Sequence, residues 1–215
     1  MSYTEEKDLN SGQEEKYDFK WYEIGEGNPF NKKILDVRPL TWNVLAVTKD
    51  KEIAETYNQL RKGTGREYIG SNIPNSIISD INIEYPHNGS PLEGIVFKAD
   101  SMDCKWDIYI YNNIFYFSRS WTGDLIYKAY ISISEDKLNI YKIEFSPDTN
   151  DENMAKNDIH FLLKTHAMGQ VLPHKVPDYL QTDMNIALYS FKQFGNKGCY
   201  ACFDDIIDTY ITIEK

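Results

Sequence analysis

The chain has 215 residues, enough to bury a full core, and its 14% aromatic share with 16 tyrosines belongs to a folded, sheet-rich protein. A formal net charge of −10 opposes nucleic acid and anionic membranes as partners and favours a basic one. No apolar run is long enough to span a bilayer, the polar start lacks a signal-peptide core, and three cysteines make no disulfide framework, so the expected address is cytoplasmic.

Residues 1–16 carry almost no apolar side chains and are expected to form a disordered tail, with residues 17–215 as a single α+β domain. Residues 17–24, 34–38 and 42–48 read as strands, Pro39 confining the second to an edge or an end. Asp50 suits an N-cap, Ile53, Ala54, Tyr57 and Leu60 follow at helical spacing, and Gly63 suits the C′ position. The basic, glycine-containing run 61–66 resembles a phosphate loop in composition. It leaves a helix C-terminus, however, where the dipole disfavours anions, so its charges are expected in solvent. Ile81, Ile83 and Tyr85 alternate with Asp80, Asn82 and Glu84, which predicts a half-exposed strand over 77–85, and 94–99 approaches the next region.

Residues 104–133 have the clearest local logic. A strand over 106–111 ends at Asn112-Asn113, a pair that tolerates positive φ and suits a two-residue type I′ turn. That turn sets Ile110 against Phe115, Ile108 against Phe117 and Trp106 against Arg119 on one apolar face. Tyr109 with Tyr116 and Asp107 with Ser118 fall on the other, expected to be wetter. A three-residue loop, Trp121-Thr122-Gly123, with Gly123 left-handed, sets Phe117 against Tyr127, Phe115 against Ala129 and Arg119 against Leu125. Arg119 then lies on the apolar face beside Trp106, with Trp121 at the loop tip.

Residues 138–145 continue as a strand of ambiguous register. Ala155, Ile159, Leu162, Leu163 and His166 share one face of a helix over 151–168, which leaves His160 nearly opposite, toward water. Pro173 and Pro177 require an extended chain around them. Asp183 is a candidate cap for a short helix through Phe191, and 199–203 with 209–213 read as a closing strand pair. The predicted fold class is therefore α+β: a mostly antiparallel β-sheet with a central meander (about 93–145), earlier strands added to it, packed by two or three helices on one face.

Cys199-Tyr200-Ala201-Cys202 has C-x-x-C spacing, but a zinc site needs four ligands and no second such pair exists. A redox pair needs its first Cys at a helix N-terminus, whereas Cys199, Ala201 and Phe203 alternate as in a strand. No metal and no cofactor are expected. No nucleophile elbow or nucleotide fingerprint is present. The candidate binding residues are Arg119, Ser120, Trp121 and Thr122 with Trp106, since Arg and Trp are common interface anchors. The expected function is a binding or interaction protein without a clear catalytic motif, in one version an acidic immunity-type protein that neutralises a basic toxin. The alternative is a small hydrolase- or transferase-like enzyme that uses Arg119 to hold an anionic substrate and a His as acid or base. The expected partner is thus a protein or a small anionic ligand, with no nucleic acid and no membrane.

Overall fold

Asn112 and Asn113 take φ of 53° and 59°, so the turn between the first two meander strands is the type I′ turn that asparagine favours. In the computed structural model, which describes residues 17–25 and 27–212, Trp106 accordingly pairs with Arg119, Ile108 with Phe117 and Ile110 with Phe115. The tail expected over 1–16 lies outside the described residues. The second turn is one residue longer than expected. Arg119 N–H donates to Asp124 O at 2.9 Å and Gly123 N–H to Arg119 O at 2.8 Å, enclosing the loop 120–123, with Gly123 at φ 77°. Phe117 still faces Tyr127, but Ser118 pairs with Leu125, so Ile126 is a bulge residue and Arg119 faces Asp124 rather than Leu125.

Along the chain, β1 (Lys20–Tyr22) and β2 (Ile34–Asp36) precede α1 (Arg38–Thr41) and α2 (Lys51–Leu60). Six strands follow: β3 (Ile77–Pro86), β4 (Gly94–Phe97), β5 (Trp106–Tyr111), β6 (Ile114–Arg119), β7 (Leu125–Ile133) and β8 (Lys137–Phe145). They form an antiparallel sheet in the order β3-β8-β7-β6-β5-β4. Then come α3 (Glu152–Leu162), β9 (Pro173–Lys175), α4 (Asp183–Phe194) and β10 (Tyr200–Cys202). The fold is α+β, with the meander at the centre of its larger sheet.

The early strands are not added to that sheet. β1, β2, β10 and β9 make a separate four-stranded sheet in that order. β10 pairs with β2 and β9 instead of the 209–213 segment, whose Ile211 bridges Phe30. Residues 42–48 are irregular rather than a strand: Pro39, with its preset φ, sits in the first turn of α1 and starts a helix there. Asp50 caps α2 as expected, but the left-handed glycine after it is Gly65, not Gly63. α4 runs to Phe194 and is capped by Thr182 rather than Asp183.

The apolar face of the meander packs on α3. Trp106, Phe117, Tyr127, Ile143 and Phe145 join Ala155, Ile159 and Leu162 in one core, each large side chain contributing roughly 1.5–3 kcal/mol on burial. The opposite face, expected wet, is polar but buried, with Asp107 and Ser118 at 1% and 0% exposure. Arg61, expected in solvent, covers it: Nη1 and Nη2 donate to the two Asp107 oxygens at 2.8 and 2.5 Å, and further to Ala99 O and Ser120 O. A buried carboxylate requires such a partner.

His160 also departs from expectation. It is 4% exposed, with Nδ1 2.8 Å from the Tyr85 hydroxyl, because β3 closes over that side of α3. His166 packs against Phe97 and Phe161, and His174 lies between Phe161 and Phe194. The Nε2 atoms of all three find no partner, and burial pushes their pKa values down to about 4, 3 and 4. An unfolded histidine titrates near 6.5, so below that value the unfolded chain gains protons that the folded chain refuses. The stability that these three histidines contribute is full above pH ~6.5 and declines toward pH ~4. Urea titrations from about pH 7.5 to about pH 4.5 should show a falling midpoint; a constant midpoint would mean that the folded imidazoles accept protons.

Candidate functional site

α4 can end against the loop before β5 only because Gly195 follows Phe194. Gly195 has φ 63°, and a Cβ there would lie 1.7 Å from Asp103 O. The carbonyls of a last helical turn have no partner within the helix. Gln193 O is taken by Trp106 Nε1 at 2.7 Å and by Arg119 Nη1 at 2.9 Å. Gln193 Oε1 accepts from Arg119 Nη2, and the guanidinium carbon sits 4.0 Å from the Trp106 ring centroid. A cation is thus placed where a helix dipole favours it and is stacked on an indole. Burial pushes the Arg119 pKa down, but a guanidinium remains charged.

Gln193 links this arginine to a carboxylate. Its Nε2 donates to Asp158 Oδ2 at 2.9 Å, and the same oxygen accepts from Tyr127 Oη at 2.7 Å and Asn150 Nδ2 at 3.3 Å. Asn150 donates to Tyr127 Oη as well. Asp158 is 1% exposed and its Oδ1 has no partner. Burial pushes its pKa up to about 6, against the opposing pull of its donors and of Arg119. The two charges are joined through Gln193 rather than by an ion pair, and among the described residues Arg119 has no carboxylate within bridging distance.

Above these groups opens a cleft of about 680 Å³. Its inner end, buried or half-buried, is polar at Arg119, Tyr127, Asn150, Gln193 and Tyr189 and apolar at Ile126, Met154 and Val176, and the exposed Asp151, Asp178 and Tyr179 form its mouth. Lys175 also lines it, but that ammonium is committed to Phe203 O at 2.6 Å and Asp205 at 3.2 Å. Burial and the nearby Asp158 hold the Tyr189 hydroxyl protonated, and none of the described residues accepts its hydrogen bond. The inner end therefore offers an anion free guanidinium N–H groups and a phenol.

Of the residues singled out in the sequence, Arg119 and Trp106 come together, and of them Arg119 alone lines the cleft. Ser120 is 0% exposed and donates to Cys104 O at 2.6 Å, holding the turn in place. Trp121 folds back, with Nε1 donating to Met102 O at 2.8 Å and Lys105 Nζ 4.6 Å above its ring. Thr122 is exposed at the tip. His166 lies away from the cleft, against Phe97 and Phe161. The sequence reading missed Asp158, Gln193, Tyr127, Asn150 and Tyr189. Asp158 carried a signal: it lies three residues after Ala155 and four before Leu162, a carboxylate inside an apolar helical stripe.

Cys199 and Cys202 are free thiols whose pKa values burial pushes up, to about 12 for Cys202, the reverse of a reactive pair. Among the described residues no group of His, Cys, Asp or Glu is arranged to hold a metal ion, and no helix is long and apolar enough to cross a membrane. Comparison of the chain with protein-family models, curated proteins and solved structures found no match.

Asp158 has a folded pKa of about 6, above the ~3.8 of an exposed aspartate. Its contribution to stability is therefore favourable below pH ~4 and is lost as the pH rises through about 6. Asp158→Asn should raise the melting temperature relative to the parent above pH ~7 and leave it nearly unchanged near pH ~4. Equal effects at both values would show that the carboxylate is not protonated on acidification.

Proposed function

We propose that this is a ligand-binding protein whose cleft holds the anionic group of a partner or small molecule on Arg119. The observation that carries the reading is a guanidinium locked in orientation by Trp106 and Gln193, facing a cleft, with no carboxylate of its own. Fixing an arginine before the ligand arrives removes much of the ordering cost of binding, and a planar fork with free N–H groups suits a carboxylate or phosphate. The net charge of −10 adds a preference for a partner that is basic overall.

A second reading has its own observation. Tyr127 borders the cleft and its buried hydroxyl is hydrogen-bonded to Asp158, whose carboxyl has its pKa pushed by burial to about 6, a useful value for a general acid or base. That favours a hydrolase- or transferase-like enzyme, and the discriminating result is turnover of a chromogenic ester that disappears in Tyr127→Phe.

The binding reading is tested by thermal shift with inorganic phosphate and with succinate. The parent should show a concentration-dependent rise in melting temperature. Arg119→Lys, which keeps the charge and much of the packing but loses the fork, should need about tenfold more ligand, and Arg119→Met should not respond. An undiminished response in Arg119→Met, or no response in the parent to either anion, would sink it.

A further inference from the structure

The cleft is polarised along its depth. Its inner end carries Arg119, a cation held by Gln193 and Trp106 with no carboxylate in bridging distance, and its mouth carries Asp151 and Asp178, which are exposed and without a cationic partner among the described residues. Asp151 uses Oδ1 to cap α3, accepting from Met154 N–H at 2.8 Å, which leaves Oδ2 for another donor. The inner lining is also apolar at Ile126, Met154 and Val176. A volume of about 680 Å³ is more than a single small anion fills and lies within the range of sites that enclose extended organic ligands.

These features select among anions. A polyanion would place negative charge beside Asp151 and Asp178. An inorganic ion would occupy only the inner end and gain nothing from the mouth. A molecule that is negative at its leading end, with an apolar group beside that charge and a positive charge behind, matches all of this lining. We propose, building on the anion reading of the cleft, that its ligand is the carboxy-terminal end of a basic peptide, bound carboxylate-first. The terminal carboxylate takes the remaining N–H groups of Arg119 and the Tyr189 hydroxyl. An apolar last side chain lies along Ile126 and Met154, and a basic side chain one or more positions earlier reaches Asp151 and Asp178. Because both mouth acids are exposed, their share is modest and salt-sensitive, and it acts chiefly on selectivity.

The test is isothermal titration with the tetrapeptide Lys-Lys-Ala-Leu as free acid, its carboxy-terminal amide, and Glu-Glu-Ala-Leu as free acid. The first should bind, and each of the others should bind about tenfold or more weakly at low salt. Asp151→Asn with Asp178→Asn, which preserves the helix cap, should erase the preference for Lys over Glu while keeping the preference for acid over amide. Arg119→Met should do the opposite. Circular dichroism melts of each variant establish that it is folded. Binding of the same four residues at the end of a carrier protein as well as in free form assigns a protein tail; binding of the free peptide alone assigns an oligopeptide. Equal binding of the Lys and Glu peptides, or no peptide binding by a protein that does bind phosphate or succinate, overturns this inference and leaves the anion reading standing. No response to any of these probes removes both.

Discussion

A guanidinium on the apolar face of a sheet is the constraint that organises one end of this molecule. Taking Arg119 out of water carries a desolvation cost that only directed partners offset. The chain supplies three from two residues: the Trp106 ring across the β5–β6 ladder, and the Gln193 carbonyl and side chain from the last turn of α4. Each provider is itself fixed for this purpose. Trp106 spends its N–H on the same Gln193 carbonyl, and Gly195 permits α4 to stop where that carbonyl points at the sheet. Three otherwise separate features are thus one arrangement: a cross-strand pair, a helix terminus and a left-handed glycine.

The meander was legible because its information is local. Asn112-Asn113 names its own turn, and the turn dictates every pair along β5 and β6. The second hairpin was legible only up to its closing residues. A three-residue loop and a four-residue loop followed by a bulge both put Phe117 opposite Tyr127, so apolar parity cannot separate them, and the difference is confined to Ser118, Arg119 and Ile126. What the sequence concealed is non-local. β1, β2, β9 and β10 have three residues each, too few for a periodicity to show, and their sheet is assembled from opposite ends of the chain. Arg61 looked like a solvated charge because its partner Asp107 is 46 residues away. Half of the site had the same fate: Arg119 and Trp106 share a hairpin and could be paired on paper, whereas Asp158 and Gln193 reach them only through the tertiary fold.

Two motifs singled out in the sequence are tied into the backbone of the fold. Ser120 and Trp121 lie beside Arg119 in sequence, yet both bind the carbonyls of residues 102–105, the loop on which α4 also ends. Their task is to hold the turn that presents the arginine. Of the C-x-x-C pair Cys202 ends β10, a strand between two others, and Cys199 precedes it; burial raises both thiol pKa values and disfavours the thiolate that redox chemistry or metal binding uses.

The remaining problem is electrostatic, and it bears on what can bind. A chain with net charge −10 repels a free anion at long range, and Asp158 adds a buried negative charge close beneath Arg119. Were anion capture the whole purpose, a second basic residue at the inner end would be the simple remedy, yet Lys175, the other basic residue lining the cleft, is tied to Asp205. Physiological salt screens exposed charges beyond about 8 Å, so the distant surface matters less than the acids at the mouth. Those acids penalise a ligand that is only negative and reward one that brings its own positive charge. Asp158 acts in the same direction: its charge offsets that of Arg119, so in the binding reading proposed above the guanidinium would discriminate by the geometry of its fork more than by raw attraction. On that reading selectivity comes from exposed acids set before a half-buried arginine, an arrangement that a positively charged chain ending in a carboxylate would satisfy.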